Sequence, residues 1–183
     1  RFPEDRGHRI VGVADINGTI SADRLPVADL IAITDELGRI DRSRLPQHVS
    51  VSDEPDAWLD VDADLLVLAA QKDALNAENV HRLRAGLVVE GGNLCSSAEA
   101  RQKLAASGAT LIPDVVANVG GAAAAGLALA RIVPFELEAE ARKRWVFDWV
   151  ADRVRRNTLD LLEIAAGSRS EEHTSELQSL RHL

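Results

Sequence analysis

Four short clusters combine polar side chains with thinned backbone in a way that could receive a ligand. Asp15 ends the apolar run RIVGVAD (Arg9–Asp15), AAQ (Ala69–Gln71) follows DLLVL, EGGN spans Glu90–Asn93, and ANVGGAAAAGLALA spans Ala117–Ala130. A carboxylate at a strand end can accept hydrogen bonds from ribose hydroxyls and repel a phosphate. Small residues at Ala69 and Ala70 let a flat ring or a ribose approach the backbone, and Gln71 supplies an amide. Gly91 and Gly92 free the backbone for close approach, while Asn93 offers both a donor and an acceptor. Asp114, Asn118, Gly120 and Gly121 stand at or near a helix start, where unsatisfied N–H groups favour carboxylates and phosphates.

Each cluster also has a plain packing reading. Asp15 can begin the turn DINGT, a role that suits it equally well. Ala69–Gln71 can be a strand-to-loop junction, EGGN a tight turn, and the alanines after Gly121 a closely packed helix. Only together, and only if the fold gathers them, do the four favour a ligand.

The elements that must position them are short. RIVGVAD, a weaker HVSV (His48–Val51), DLLVLAA (Asp64–Ala70), GLVVE (Gly86–Glu90) and ATLIP (Ala109–Pro113) read as strands. They lack strict alternation, as strands buried on both faces do. Helix signals lie between them: Leu25–Leu37 has Pro26 near its first turn and Gly38 as a stop, Asn76 precedes AENVHRLR, and Ser96 with Glu99 forms a capping-box pattern. Alternating strands and helices imply a parallel sheet with right-handed crossovers, which places all four clusters after the C-terminal ends of strands, where open α/β sheets bind ligands. A long helical stretch, about residues 136–166, follows Pro134, with Trp145 and Trp149 as packing residues.

Composition narrows the partners. A formal charge of −8 without a basic, aromatic-interleaved tract argues against nucleic acid. The single cysteine, Cys95, excludes an internal disulfide, and no apolar run is long enough for a bilayer, so a cytoplasmic setting is expected. The histidines fall at no metal-ligand spacing, and no metal site is expected. The chain contains no methionine and reads as a fragment or processed piece.

The motifs in order carry a resemblance. VVEGGNLCSSAEARQKLAASGATLIPDVVANVGG resembles the cofactor-binding domain of the glutamate, leucine, phenylalanine and valine dehydrogenases, whose pattern runs Val-x-Glu-Gly-Ala-Asn, a helix, Ile-Pro-Asp, then Ala-Asn-Ala-Gly-Gly. DADLLVLAAQKDALNAENV and RIVGVADINGTI are similar to the family's preceding stretches, so the likeness covers about residues 9–126. It implies an incomplete doubly wound, Rossmann-like parallel sheet followed by a long C-terminal helical segment. It also implies NAD-dependent, or NADP-dependent, oxidative deamination of an L-amino acid to a 2-oxo acid and ammonia by the parent protein. Carried over by position, Asp15 would lie by the adenosine ribose, and Ala69, Ala70, Gln71, Gly91 and Asn93 by the nicotinamide and its ribose. Asn118, Gly120 and Gly121 would lie where nicotinamide meets substrate. The parent is expected to be a homo-oligomer acting on a small amino acid or 2-oxo acid, with its substrate domain upstream.

Three departures accompany the resemblance. The Gly-rich phosphate loop and first strand that should precede Asp15 are missing, so negligible cofactor affinity and weak stability are expected of the chain alone. The family's catalytic lysine and aspartate belong to the upstream domain, so no catalytic residue is assigned here, and Lys72, Lys103 and Lys143 are not substitutes. Where the family has a substrate-contacting serine, this chain has Ala125. A nucleotide-sensing or structural domain without turnover is therefore the alternative. The expected division is a partial dinucleotide-binding domain over residues 1–134, a helical segment of the same domain over 135–168, and a non-native, adapter-like tail over 169–183.

Overall fold

The structure is a computed structural model that describes residues 7–179, with side chains described through residue 167. The last four residues of the adapter-like tail lie outside the described residues. Among the described residues, six strands form two three-stranded sheets, ordered β1-β2-β3 and β4-β5-β6. The chain divides into two compact units. One holds the residues up to Leu66 together with Leu75–Leu87 and Ser97–Thr110, and the other holds Val67–Ala74, Val88–Ser96 and the chain from Leu111 onward.

In the first unit, β1 (Gly12–Asp15) and β2 (Gly18–Ser21) form an antiparallel hairpin, and β2 pairs antiparallel with β3 (Ser50–Ser52). This corrects the expectation that RIVGVAD joins a parallel sheet. Only its second half is a strand, and it pairs with the segment immediately after it. Closing two residues costs far less chain entropy than a crossover, and the turn is well specified. The Asn17 N–H donates to Asp15 Oδ1 at 2.8 Å, and Gly18 adopts φ +112°. An added Cβ at Gly18 would lie 2.2 Å from the Ser52 carbonyl oxygen, so the hairpin requires glycine there. Ile20, Leu25, Leu30, Ile40 and Val49 form the hydrophobic core behind it.

Helix α1 spans Val27–Ala32 and stops five residues short of the expected Leu37. Asp35 captures the chain that follows: its carboxylate accepts from the N–H groups of Leu37 and Arg39, both at 2.9 Å, and from Arg39 Nε at 2.8 Å. Such local side-chain bonds compete with the helix ladder. The same competition shortens the helix expected after Asn76 to a 3₁₀ turn at Val80–Arg82. Asn76 Oδ1 accepts from Glu78 N at 2.9 Å, and Asn79 Oδ1 accepts from Asn76 N at 2.9 Å. Helix α2 (Ala98–Ser107) forms as expected, but one serine later: Ser97, not Ser96, is the N-cap and accepts from Ala100 N at 3.1 Å. Gly108 ends it in the left-handed conformation, φ +83°.

The parallel sheet comprises β4 (Leu65–Leu68), β5 (Leu87–Glu90) and β6 (Thr110–Ile112), within the apolar runs read from the sequence. After it come the single turn α3 (Asp114–Ala117), then α4 (Gly120–Leu129) and the long α5 (Ala139–Ser179). Both α3 and α4 pack against α5. Gly120 permits this approach, since a Cβ there would stand 3.3 Å from Val150 Cγ1. Trp145 and Trp149 are half-buried on α5, and the Arg153 guanidinium lies over the Trp149 ring at 5.2 Å.

Candidate functional site

The segments that follow the three parallel strands belong to the second unit, and they hold eight of the nine residues expected to meet a cofactor, five in the loops after β4 and β5 and three from the end of α3 to the start of α4. The loop after β4 carries Ala69, Ala70 and Gln71, all exposed. The loop after β5 lies against it: Gly91 N and Gly92 N donate to the Leu68 carbonyl at 3.0 and 3.1 Å. A Cβ on Gly91 would meet Ala69 Cβ at 3.4 Å, and one on Gly92 would meet Cys95 Sγ at 2.6 Å and the Ala70 carbonyl at 2.8 Å. Both glycines are thus explained by loop-on-loop packing. Cys95 is fully buried, and its thiol donates to the Ala70 carbonyl at 3.1 Å, a packing role.

The two amides meet. Asn118 Nδ2 donates to Asn93 Oδ1 at 2.8 Å, joining the loop after β5 to the end of α3. The pairing uses one donor and one acceptor, so the Asn93 amide hydrogens and the Asn118 side-chain carbonyl make no hydrogen bond to the described residues. Gly121 has open space where a Cβ would be, and Ala125 is exposed on α4.

A carboxylate absent from the expected set organises these loops. Glu90, the last residue of β5, is completely buried; Oε1 accepts from Ser96 N at 2.9 Å and Oε2 from Asp114 N at 3.1 Å. Asp114, also buried, accepts from Leu94 N at 2.9 Å and from Val115 N at 2.9 Å. Leu94 is held at φ +53°, a conformation uncommon for a side chain of its kind. The signal for Glu90 was present in LVVE: strand alternation puts it on the same buried face as Val88.

Asp15 lies in the first unit, where the chain itself occupies its carboxylate. Its oxygens accept from Asn17 N at 2.8 Å, Ile40 N at 2.8 Å, and Arg42 Nη1 and Nη2 at 2.5 and 2.7 Å. Burial pushes this carboxyl up, but the Arg42 guanidinium and the N–H groups of Ile40 and Asn17 outweigh it and hold it below the usual carboxylate value. Four donors fill the roughly four acceptor positions of a carboxylate. The turn reading therefore accounts for Asp15 here. Arg42, its partner, carried no sequence signal.

Lys103 Nζ donates to the Ala77 carbonyl at 2.8 Å, and Lys72 is exposed beside Asp73. No group of three or more His, Cys, Asp or Glu among the described residues is placed to hold a metal ion, and no described helix is long and apolar enough to cross a membrane.

Comparison with known proteins agrees with this arrangement of motifs. Residues 1–155 match the family described as glutamate/leucine/phenylalanine/valine dehydrogenase. The chain belongs to this family. It is 32% identical over 122 residues to the catabolic NAD-specific glutamate dehydrogenase of Bacillus subtilis, covering 66% of this chain and 28% of that protein. It is 33% identical over 122 residues to the NADP-specific glutamate dehydrogenase of Saccharolobus shibatae, with the same coverage of 66% and 28%. The chain thus spans 28% of the length of these two curated relatives. Among solved structures, a hetero-hexameric glutamate dehydrogenase from Thermus thermophilus in a leucine-bound form matches with a TM-score of 0.64 and 28% identity, covering 83% of this chain and 35% of that one. The glutamate dehydrogenase of Plasmodium falciparum matches in fold, with a TM-score of 0.63 at 19% identity, over 80% of this chain and 32% of that one.

Proposed function

We propose that this chain supplies the nicotinamide-binding part of an NAD(P)-dependent amino-acid dehydrogenase, with the Asn93–Asn118 pair receiving the nicotinamide carboxamide. The observation that carries this reading is the hydrogen-bond inventory of the pair. A primary carboxamide presents one carbonyl and one NH₂, and the pair leaves one NH₂ and one carbonyl to meet them. That chemistry fits nicotinamide at the C-terminal edge of a parallel sheet. Ala69, Ala70 and Gly91 would lie beneath the ring and its ribose, where larger side chains would keep them off the backbone. Gln71, Gly120 and Gly121 complete the assignment, and Ala125 is the substrate-proximal position. These residues would orient a bound nicotinamide and exclude water from it, and the group would supply the acceptor for hydride from the amino acid's α-carbon.

The reading takes NAD, with NADP possible, since the relatives include NAD-specific and NADP-specific glutamate dehydrogenases. Ala125 supports a second reading, a nucleotide-binding domain without turnover, because a methyl cannot replace a substrate-contacting hydroxyl. Assaying the whole protein with glutamate, leucine, valine and phenylalanine under both cofactors separates the two. Turnover with one of them supports the dehydrogenase; cofactor binding with no turnover on any supports the second reading.

A further inference from the structure

Glu90 stands out because nothing about a flat apolar cradle calls for a completely buried carboxylate beneath it. Burying a charge is costly unless hydrogen bonds replace the lost water. Here both oxygens are used on backbone N–H groups from two different loops, those of Ser96 and Asp114. The loop after β5 is then pinned at four points. Gly91 and Gly92 hold the Leu68 carbonyl, Leu94 holds Asp114 Oδ2, and Ser96 holds Glu90. Asn93 lies between the second and third of these anchors.

Asp114 performs three tasks at once. Its N–H is fixed by Glu90, its side chain fixes Leu94 next to Asn93, and its carbonyl accepts from Asn118 N at 2.9 Å. Both members of the amide pair are therefore located relative to Asp114, and Asp114 is located by Glu90. Two converging N–H donors need two acceptor oxygens. A glutamine offers one and sets an NH₂ against the other donor, so the position demands a carboxylate.

We propose that Glu90 is a positioning residue for the nicotinamide site. It touches no ligand and acts by holding Ser96 and Asp114 so that Asn93 and Asn118 meet at hydrogen-bond distance. This rests on the functional reading above and adds the residue on which its geometry depends.

The test uses the whole parent protein labelled with ¹⁵N, with Glu90→Gln, Asp114→Asn and Asn118→Ala. Two readouts are followed: the side-chain amide signals of Asn93 and Asn118, and their movement on adding nicotinamide mononucleotide. Glu90→Gln is expected to remove the slowed exchange and shifted resonance of the bonded Asn118 amide. It is also expected to weaken mononucleotide binding about tenfold, the effect of losing one hydrogen bond. The signals of Leu127 and Val133, buried in the second unit, serve as the folding control. Asp114→Asn, which leaves Glu90 in place, should give the same loss and serves if Glu90→Gln fails that control. Asn118→Ala should abolish the pair while leaving the Ser96 amide bonded to Glu90. An intact amide pair in folded Glu90→Gln, or in Asp114→Asn if Glu90→Gln fails the control, overturns the proposal. If the pair responds as expected but the mononucleotide moves no signal in the unmutated whole protein, the positioning of the pair stands and the nicotinamide reading falls.

Discussion

Two regions of this chain use acidic side chains at strand ends, and they use them in opposite ways. In the first unit Asp15 meets a guanidinium, and the pair is sealed on both sides. Asp15 has only 9% of its side chain exposed, and Arg42 also donates to the carbonyls of Ile40 and Gly18. In the second unit Glu90 and Asp114 meet backbone N–H groups. The charge of Asp15, met by a guanidinium and two backbone N–H groups, ties the hairpin turn to the segment Ile40–Arg42. Charge spent on backbone N–H groups fixes the path of several loops and leaves neighbouring amides free for something else. The first arrangement builds a hairpin; the second fixes the loops of the candidate site.

The sharpest way to break this contrast is at Arg42. Arg42→Ala leaves a largely buried carboxylate without its cation, and the expected loss is about 3 kcal/mol, read by urea unfolding. The same pair sets a pH dependence. Asp15 titrates lower in the folded chain than in the unfolded one. Its contribution is therefore complete above the unfolded value near 3.9 and disappears as pH falls through the lower folded value. Arg42→Ala should flatten the stability profile over that acid range. An unchanged profile would show that Asp15 is not held by Arg42.

A smaller effect is expected in the second region at Gly92. Gly92→Ala drives a Cβ into Cys95 Sγ and the Ala70 carbonyl, at about 2 kcal/mol. Adding Cys95→Ala relieves the sulfur contact only, so the double variant should recover part of the loss. Full recovery would mean that the Ala70 backbone is not in contact. Smaller again is the cap of α2. Ser97→Ala should cost about 1 kcal/mol in thermal unfolding, whereas Ser96→Ala should be near neutral. The Ser96 hydroxyl is buried with no hydrogen-bond partner, and only its backbone N–H serves Glu90. A larger loss at Ser96 would show that the side chain, not the backbone, holds the loop.

The sequence carried the parallel strands and α2 because apolar runs and a glycine stop are local signals. It marked the loop after β5 through two adjacent glycines, whose missing Cβ atoms the packing of that loop requires. It did not carry the ends of the helices around Asp35 and Asn76, where single side chains bonding two to four residues away override the periodicity. The placement of β1 was also hidden, since an apolar run does not state its partner and the hairpin turn supplied one at two residues' distance. Arg42 was illegible for the same physical reason: an ion pair across 27 residues leaves no pattern. Glu90 was legible only as an acid on the inward face of a strand, a conflict of pattern whose resolution lay in two backbone groups contributed by other loops.

The central claim is that the Asn93–Asn118 pair receives a carboxamide. The most direct measurement is a ¹H–¹⁵N titration of the whole parent protein with nicotinamide mononucleotide, repeated with nicotinic acid mononucleotide, in which a carboxylate replaces the carboxamide. The account predicts that the first moves the Asn93 and Asn118 side-chain signals and that the second moves them far less, because a carboxylate cannot donate to the Asn118 carbonyl. Equal responses to both, or no response to either, would contradict it.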